Sequence, residues 1–199
     1  MKKSIGEKYF NQKDLNIFDI ICIAVMAVSV LVATFVWGGG PTGITLLGIS
    51  ALLFIISRST RVKDSEIDDL IKKLSEQSEI DASSKNAISA FDLKKLPVVK
   101  GKDGTYRSSI YVVSFFDISD DRLKLTVYSI DLISAEVRKN EYNLTGEYRI
   151  ELAEENIKVN KNTNKKANYL VSDCFERAIP VMLDDIDSSK LIEKICKKL

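Results

Sequence analysis

Residues 20–57 read IICIAVMAVSVLVATFVWGGGPTGITLLGISALLFIIS, without one charged side chain from Ile20 to Ser57. The run divides at Gly38-Gly39-Gly40-Pro41. At about 1.5 Å per residue, Ile20 to Trp37 makes a helix of roughly 27 Å and Thr42 to Ser57 one of roughly 24 Å, against a hydrocarbon thickness of about 30 Å. The first is long enough to span a bilayer; the second needs local thinning or snorkelling by Arg58. Glycine accepts the positive φ values of a tight turn, and proline suits the first turn of the helix that follows. A buried helix pair of a soluble protein would carry a polar stripe, and a cleaved signal peptide would have a shorter apolar core with no second run. The sequence therefore predicts a transmembrane α-hairpin over 17–57.

Basic residues set its orientation. Lys2, Lys3, Lys8 and Lys13 precede the first span, Arg58, Arg61 and Lys63 follow the second, and the turn between has no charge. Positive-inside then places both termini in the cytoplasm, with Trp37 at the outer headgroups. Asp19 is expected as a solvated helix end at the inner interface. Small residues are candidates for close helix contact, Ala24, Ala27 and Ser29 on the first span with Gly48 and Ala51 on the second. Ala33, Gly43 and Ser50 belong to the same set.

Outside the hairpin the composition is that of a soluble protein. The 199 residues hold 29 Lys+Arg and 28 Asp+Glu, a net charge of +1. There is no histidine, which excludes Ser-His-Asp and Cys-His nucleophile pairs and His-ligated metal sites. Cys22, Cys174 and Cys196 show no CxxC spacing and read as reduced packing residues. The Asp117, Asp120, Asp121 and Asp184, Asp185, Asp187 groups lack EF-hand spacing and read as turns and caps. No catalytic residue, metal or cofactor is expected.

Four segments follow from these patterns: a cytoplasmic N-terminal stretch over 1–16, the hairpin over 17–57, an amphipathic linker helix within 58–90, and a cytoplasmic β-rich domain over 91–199. The linker helix places Ile67, Leu70, Ile71 and Leu74 on one face. In the domain, Leu123, Leu125 and Val127 alternate with Lys124, Thr126 and Tyr128, the two-residue period of a half-buried strand. Gaps between apolar runs are too short for crossover helices, so the sheet is antiparallel. Leu191, Ile192, Ile195 and Leu199 share one side of a C-terminal helix. The fold class is an α-hairpin plus an α+β domain, an antiparallel sheet or barrel closed by that helix. The stretch from Asn156 to Asn168, NIKVNKNTNKKAN, reads as a hairpin loop whose Lys158, Lys161, Lys165 and Lys166 are candidates to meet lipid headgroups or a partner.

Meandering strands, Ile179-Pro180-Val181 entering a last strand, an acidic turn and a short terminal helix together resemble bacterial pleckstrin-homology-like domains, some of which follow a two-helix membrane anchor. That resemblance implies a cytoplasmic scaffold, or a module binding lipid and protein, at the bacterial inner membrane. The gross plan is also similar to the two-transmembrane, β-rich effectors of cyclic-oligonucleotide antiphage signalling. That second likeness implies a ligand-gated protein that oligomerises and perturbs the membrane. Expected partners are thus membrane lipid, a protein or further copies of this chain, and in the second case a small molecule; no nucleic-acid polymer is expected.

Overall fold

A computed structural model describes residues 4–12, 16–35, 40–119, 122–145, 148–160, 163–183 and 186–196. Trp37, Gly38 and Gly39 lie outside these, as do Asp120, Asp121, Asp184, Asp185, Lys161 and Leu199. The chain forms two compact units, one of residues 11–63 and one that joins Met1–Phe10 to Asp64–Leu199.

In the first unit, α2 (Ile17–Phe35) and α3 (Gly40–Ser59) are both long and apolar enough to cross a membrane. They pack on each other through small residues. A Cβ on Gly43 would lie 2.6 Å from the Ala33 Cβ and 2.6 Å from the Ser29 carbonyl oxygen, so glycine there permits the backbones to touch. Ser29 and Ser50 are buried in this contact, and their hydroxyls donate to carbonyls one turn back, Val25 at 2.7 Å and Leu46 at 2.8 Å. Each helix thereby satisfies its own buried hydroxyl. Ala51 is half-buried, whereas Ala24, Ala27 and Gly48 are exposed, and a Cβ on Gly48 would meet nothing within 4 Å. The contact within the hairpin runs through Ser29, Ala33, Gly43 and Ser50.

Asp19 is not the solvated helix end expected of it. Its side chain is fully buried, accepting from the Ser57 hydroxyl at 2.8 Å, from the Asn16 backbone N–H at 3.1 Å and from the Arg61 guanidinium. Asn16 in return accepts from the Asp19 N–H at 2.7 Å, a reciprocal cap on the first turn of α2. Four residues from the two ends of the hairpin are so joined at its base. A buried carboxylate is tolerated when paired and hydrogen-bonded on several sides.

The second unit begins with a short helix, α1 (Ile5–Asn11). Gly6 sits against the backbone of Leu132, the Ser4 hydroxyl donates to the Ile133 carbonyl at 2.9 Å, and Tyr9 and Phe10 are buried in edge-to-face contact. The chain returns as α4 (Asp64–Gln77), whose Ile67 and Leu74 are buried as the periodicity requires. Glu79 ends that helix in the left-handed region, φ 55°, where the Ile80 N–H reaches the Ser75 carbonyl at 2.9 Å.

The strands are β1 (Ala87–Phe91), β2 (Val98–Lys100), β3 (Tyr106–Ser108), β4 (Ile110–Ile118), β5 (Arg122–Asp131), β6 (Glu136–Thr145), β7 (Glu151–Asn160), β8 (Thr163–Val171) and β9 (Ile179–Val181). They form three antiparallel sheets, in the orders β1-β4-β5-β6, β2-β3 and β7-β8-β9. Helix α5 (Ile186–Cys196) follows β9. Alternation on β5 turns Leu123, Leu125 and Val127 inward, where they join Ile88, Val112 and Phe116 of the same sheet, Leu170, Ile179 and Val181 of the three-stranded sheet, and Ile192 and Ile195 of α5. Full burial of such a side chain contributes about 1.5–3 kcal/mol each. This one core fixes the antiparallel domain with its terminal helix.

A closed barrel does not form among the described residues. Strand β9 has three residues and its centre is Pro180, which lacks an N–H to donate to a neighbour. Strand β1 therefore pairs only with β4, and β9 only with β8.

Candidate functional site

Strands β2 and β3 are joined by a turn in which the Gly101 N–H donates to Thr105 at 2.8 Å and Gly104 adopts φ 85°. The turn is held from beneath by Arg107. Its guanidinium, 5 % exposed, donates to Asp103 at 2.9 Å and to Asp68 of α4 at 3.1 Å. Alongside, Asp64 accepts from the Tyr9 hydroxyl at 2.8 Å and from the Lys102 N–H at 2.7 Å. Helix α1, helix α4 and the turn are locked together by this set.

Charges in this polar set are tuned by their neighbours. The hydrogen bond from Arg107, helped by the Thr105 N–H, lowers Asp103 to about 2. Burial pulls the Arg107 guanidinium down, but hydrogen bonds to Asp103 and Asp68 more than reverse it, so it stays charged. Burial and the Asp64 carboxylate push the Tyr9 phenol well above its usual range. Because Asp103 titrates lower in the folded chain than its ordinary value near 3.9, its contribution to stability is present above about pH 4 and lost as pH falls towards 2. Replacing Arg107 by methionine is expected to flatten that acid limb and to cost about 1–3 kcal/mol at neutral pH, since both carboxylates left behind still reach water. Melting temperature against pH for the two proteins checks this; parallel acid limbs would show that Arg107 does not set the Asp103 titration.

Above the turn lies a cleft of about 450 Å³. Its sides are Asp103 to Tyr106 of the turn, Lys165 to Asn168 of β8, Pro180 to Leu183 at the end of β9, and Ala90 and Phe91 of β1. The Lys165 ammonium stands 5.7 Å from the centre of the Tyr106 ring, and that of Lys100 5.8 Å from it. A second cleft of about 530 Å³ runs between α4 and the β1–β4 pair, lined by Ile71, Ile80 and Tyr111; Phe91 and Met182 line both. The first combines apolar walls with ammonium, phenol, amide and hydroxyl groups and with the Asp103 carboxylate, whose charge Arg107 already pairs, a set suited to holding an anionic ligand with some apolar surface.

Of the four lysines singled out from sequence, Lys165 and Lys166 reach this cleft, Lys158 lies exposed on β7, and Lys161 is outside the described residues. The expected loop is instead two strands. Pairing of β7 with β8 runs from Glu151–Val171 to Asn160–Thr163, so ladder hydrogen bonds hold Lys158, Lys165 and Lys166 on a stiff surface. Lys166 is engaged by Glu154 at 2.6 Å. Sequence reasoning did not find Tyr106, Phe91 or Met182; the available signal was the GKDG turn, which announces a hairpin that must pack somewhere. Among the described residues no group of three Asp, Glu or Cys side chains is placed to hold a metal ion.

Compared with protein-family models, with curated proteins and with solved structures, the chain finds no match.

Proposed function

We propose that this chain is a membrane-anchored, non-enzymatic binding or scaffold protein whose β-rich unit meets protein or lipid partners on the cytoplasmic face of a bacterial inner membrane. The observation that carries the reading is the surface of the helix pair. Only 17 % of the most apolar window of α2 is buried, and Ile17, Ile44 and Phe35 are 76 %, 67 % and 83 % exposed. Core helices of a soluble protein bury such side chains, and an apolar patch of this extent demands lipid or a partner.

Topology adds a second support that does not depend on counting lysines. Residues 4–10 and the chain from Asp64 onward fold into one compact unit, and such a unit lies on one side of any bilayer. A hairpin inserted between them crosses twice or not at all. The pleckstrin-homology-like reading of that unit is supported by a four-stranded and then a three-stranded antiparallel sheet followed by a helix, with the two-stranded β2-β3 sheet as an addition inserted after β1. The second reading, an oligomerising ligand-gated effector, is favoured by Ala24, Ala27 and Gly48, which face outward and leave room for another copy.

The native cysteines supply the test. Cys174 is exposed, so a chain carrying Cys22→Ser and Cys196→Ser reports on its unit alone. The protein is expected to sediment with membranes after carbonate washing, and Cys174 to react with a membrane-impermeant maleimide only after permeabilisation. A carbonate-soluble chain would remove the anchor, labelling in intact cells would reverse the orientation, and a single-subunit mass in detergent would remove the oligomeric effector.

A further inference from the structure

We propose that the open edge of β8 receives an extended acidic peptide as an added strand, with its side chains entering the cleft beside Tyr106. This deepens, and rests on, the reading of the β-rich unit as a protein-binding module. Strand β8 pairs with β7 along its whole length, but β9 covers only Asn168 to Leu170 on the other side. From Thr163 to Ala167 that outer edge has no strand neighbour among the described residues. In an antiparallel ladder alternate residues turn their N–H and C=O to opposite sides, so part of this backbone presents unused donors and acceptors. Such an edge is a template for another extended chain.

Lysines on an edge strand also deter pairing, so their presence alone decides nothing. Space decides it here. Edges that are merely guarded have solvent beyond them, whereas the edge at Lys165, Lys166 and Ala167 borders the cleft of about 450 Å³. Its opposite wall is the Asp103–Tyr106 turn, fixed by Arg107 before any ligand arrives. A strand laid on β8 would direct alternate side chains towards the apolar surface of Phe91 and Pro180. Charge selects the occupant. Lys165, which lines the cleft, has its ammonium 5.7 Å from the centre of the Tyr106 ring, and that of Lys100 stands 5.8 Å from the same ring; the one carboxylate on the facing wall, Asp103, is already paired with Arg107, so a peptide carboxylate beside Tyr106 finds a cation.

The test uses the full-length chain in detergent and three fluorescent peptides of equal length: alternating glutamate and valine, alternating glutamate and proline, and alternating lysine and valine. Glutamate–valine is expected to bind saturably. Glutamate–proline has the same charge but lacks half of its N–H donors, so it is expected to bind at least about tenfold more weakly, a loss of about 1.4 kcal/mol. The lysine peptide is expected not to bind. Lys165→Glu should weaken the first peptide by about tenfold while leaving the melting temperature unchanged. Hydrogen exchange should slow across residues 163–168 when the peptide is present. Equal binding of the two glutamate peptides, protection elsewhere, or saturable binding only to phosphatidylglycerol vesicles would overturn strand addition. The anchor is judged separately: a carbonate-resistant chain that ignores all three peptides loses this proposal alone, and a soluble chain that binds the first loses the anchor alone.

Discussion

Replacing Gly6 by leucine is expected to lower the melting temperature of the full-length chain by about 10 °C, the equivalent of about 3 kcal/mol in a protein of this size. A Cβ at position 6 would overlap the carbonyl oxygen of Leu132. That carbonyl cannot retreat easily, because Leu132 is fully buried and its N–H is bonded to the Ser109 carbonyl at 2.9 Å. The seven-residue helix must move instead. When it does, Tyr9 and Phe10, 1 % and 5 % exposed, lose their burial together, and the Tyr9 hydroxyl leaves Asp64. Loss of buried aromatic packing ordinarily costs about 3–5 kcal/mol. Ser4→Ala provides the scale, since it removes two exposed hydrogen bonds, the one donated to the Ile133 carbonyl and the one accepted from the Glu7 N–H at the start of α1, together about 1–2 kcal/mol. Thermal unfolding followed by circular dichroism gives the first number, and hydrogen exchange over residues 4–10 shows whether α1 has detached. An unchanged melting temperature in the leucine variant would mean that α1 does not rest on Leu132.

The consequence reaches beyond stability. Tyr9 and Asp64 flank residues 11–63 in sequence, and their 2.8 Å hydrogen bond joins the two segments of chain that make up the β-rich unit. A chain that loses α1 keeps its apolar helices but tethers them at one end only.

Helices α2 and α3 were legible because the absence of charge over Ile20 to Ser57 is a signal that needs no tertiary context. The amphipathic face of α4 and the alternation of β5 were legible for a related reason: one buried face imposes its period on the residues. Helix α1 was not, since seven residues give less than two periods and its decisive residue is a glycine that matters only where Leu132 happens to lie. Strand β6, EVRKNEYNLT, pairs among the described residues only with β5 and buries Leu144 alone, so the alternation shows at Tyr142 and Leu144 near its end while the rest of its pattern is nearly that of a loop. The lysine-rich stretch misled in the same way. Asn and Lys are depleted in strands, and the ladder between β7 and β8 overrides that preference. In the candidate site the lysines could be read from composition, but their neighbours could not, because Tyr106, Phe91 and Met182 converge from three separate stretches of the chain. Asp19 shows the same limit: its position near a helix end was readable, its closure by Ser57 of the other helix and by Arg61 just beyond that helix was not.

Gly43 and Gly48 offer the sharpest contrast within one helix. Isoleucine at position 43 is expected to destabilise the hairpin by about 3 kcal/mol, at the upper end of the overpacking range, while isoleucine at position 48 changes stability by less than about 0.5 kcal/mol. Both substitutions add the same apolar side chain to the same helix, so propensity and lipid affinity cancel between them. Only the neighbours differ. At Gly43 the added carbon meets the Ala33 Cβ and the Ser29 carbonyl oxygen at 2.6 Å, and backbone cannot yield as a flexible side chain would. At Gly48 it meets nothing within 4 Å. The buried hydroxyls of Ser29 and Ser50 are satisfied within their own helices, so polarity does not hold α2 to α3 at this level. Closeness of the two backbones does. Thermal unfolding of both variants in the same detergent measures the difference. Equal losses would mean that the helices meet on another face, and a larger loss at position 48 would place the working contact there, between copies of the chain.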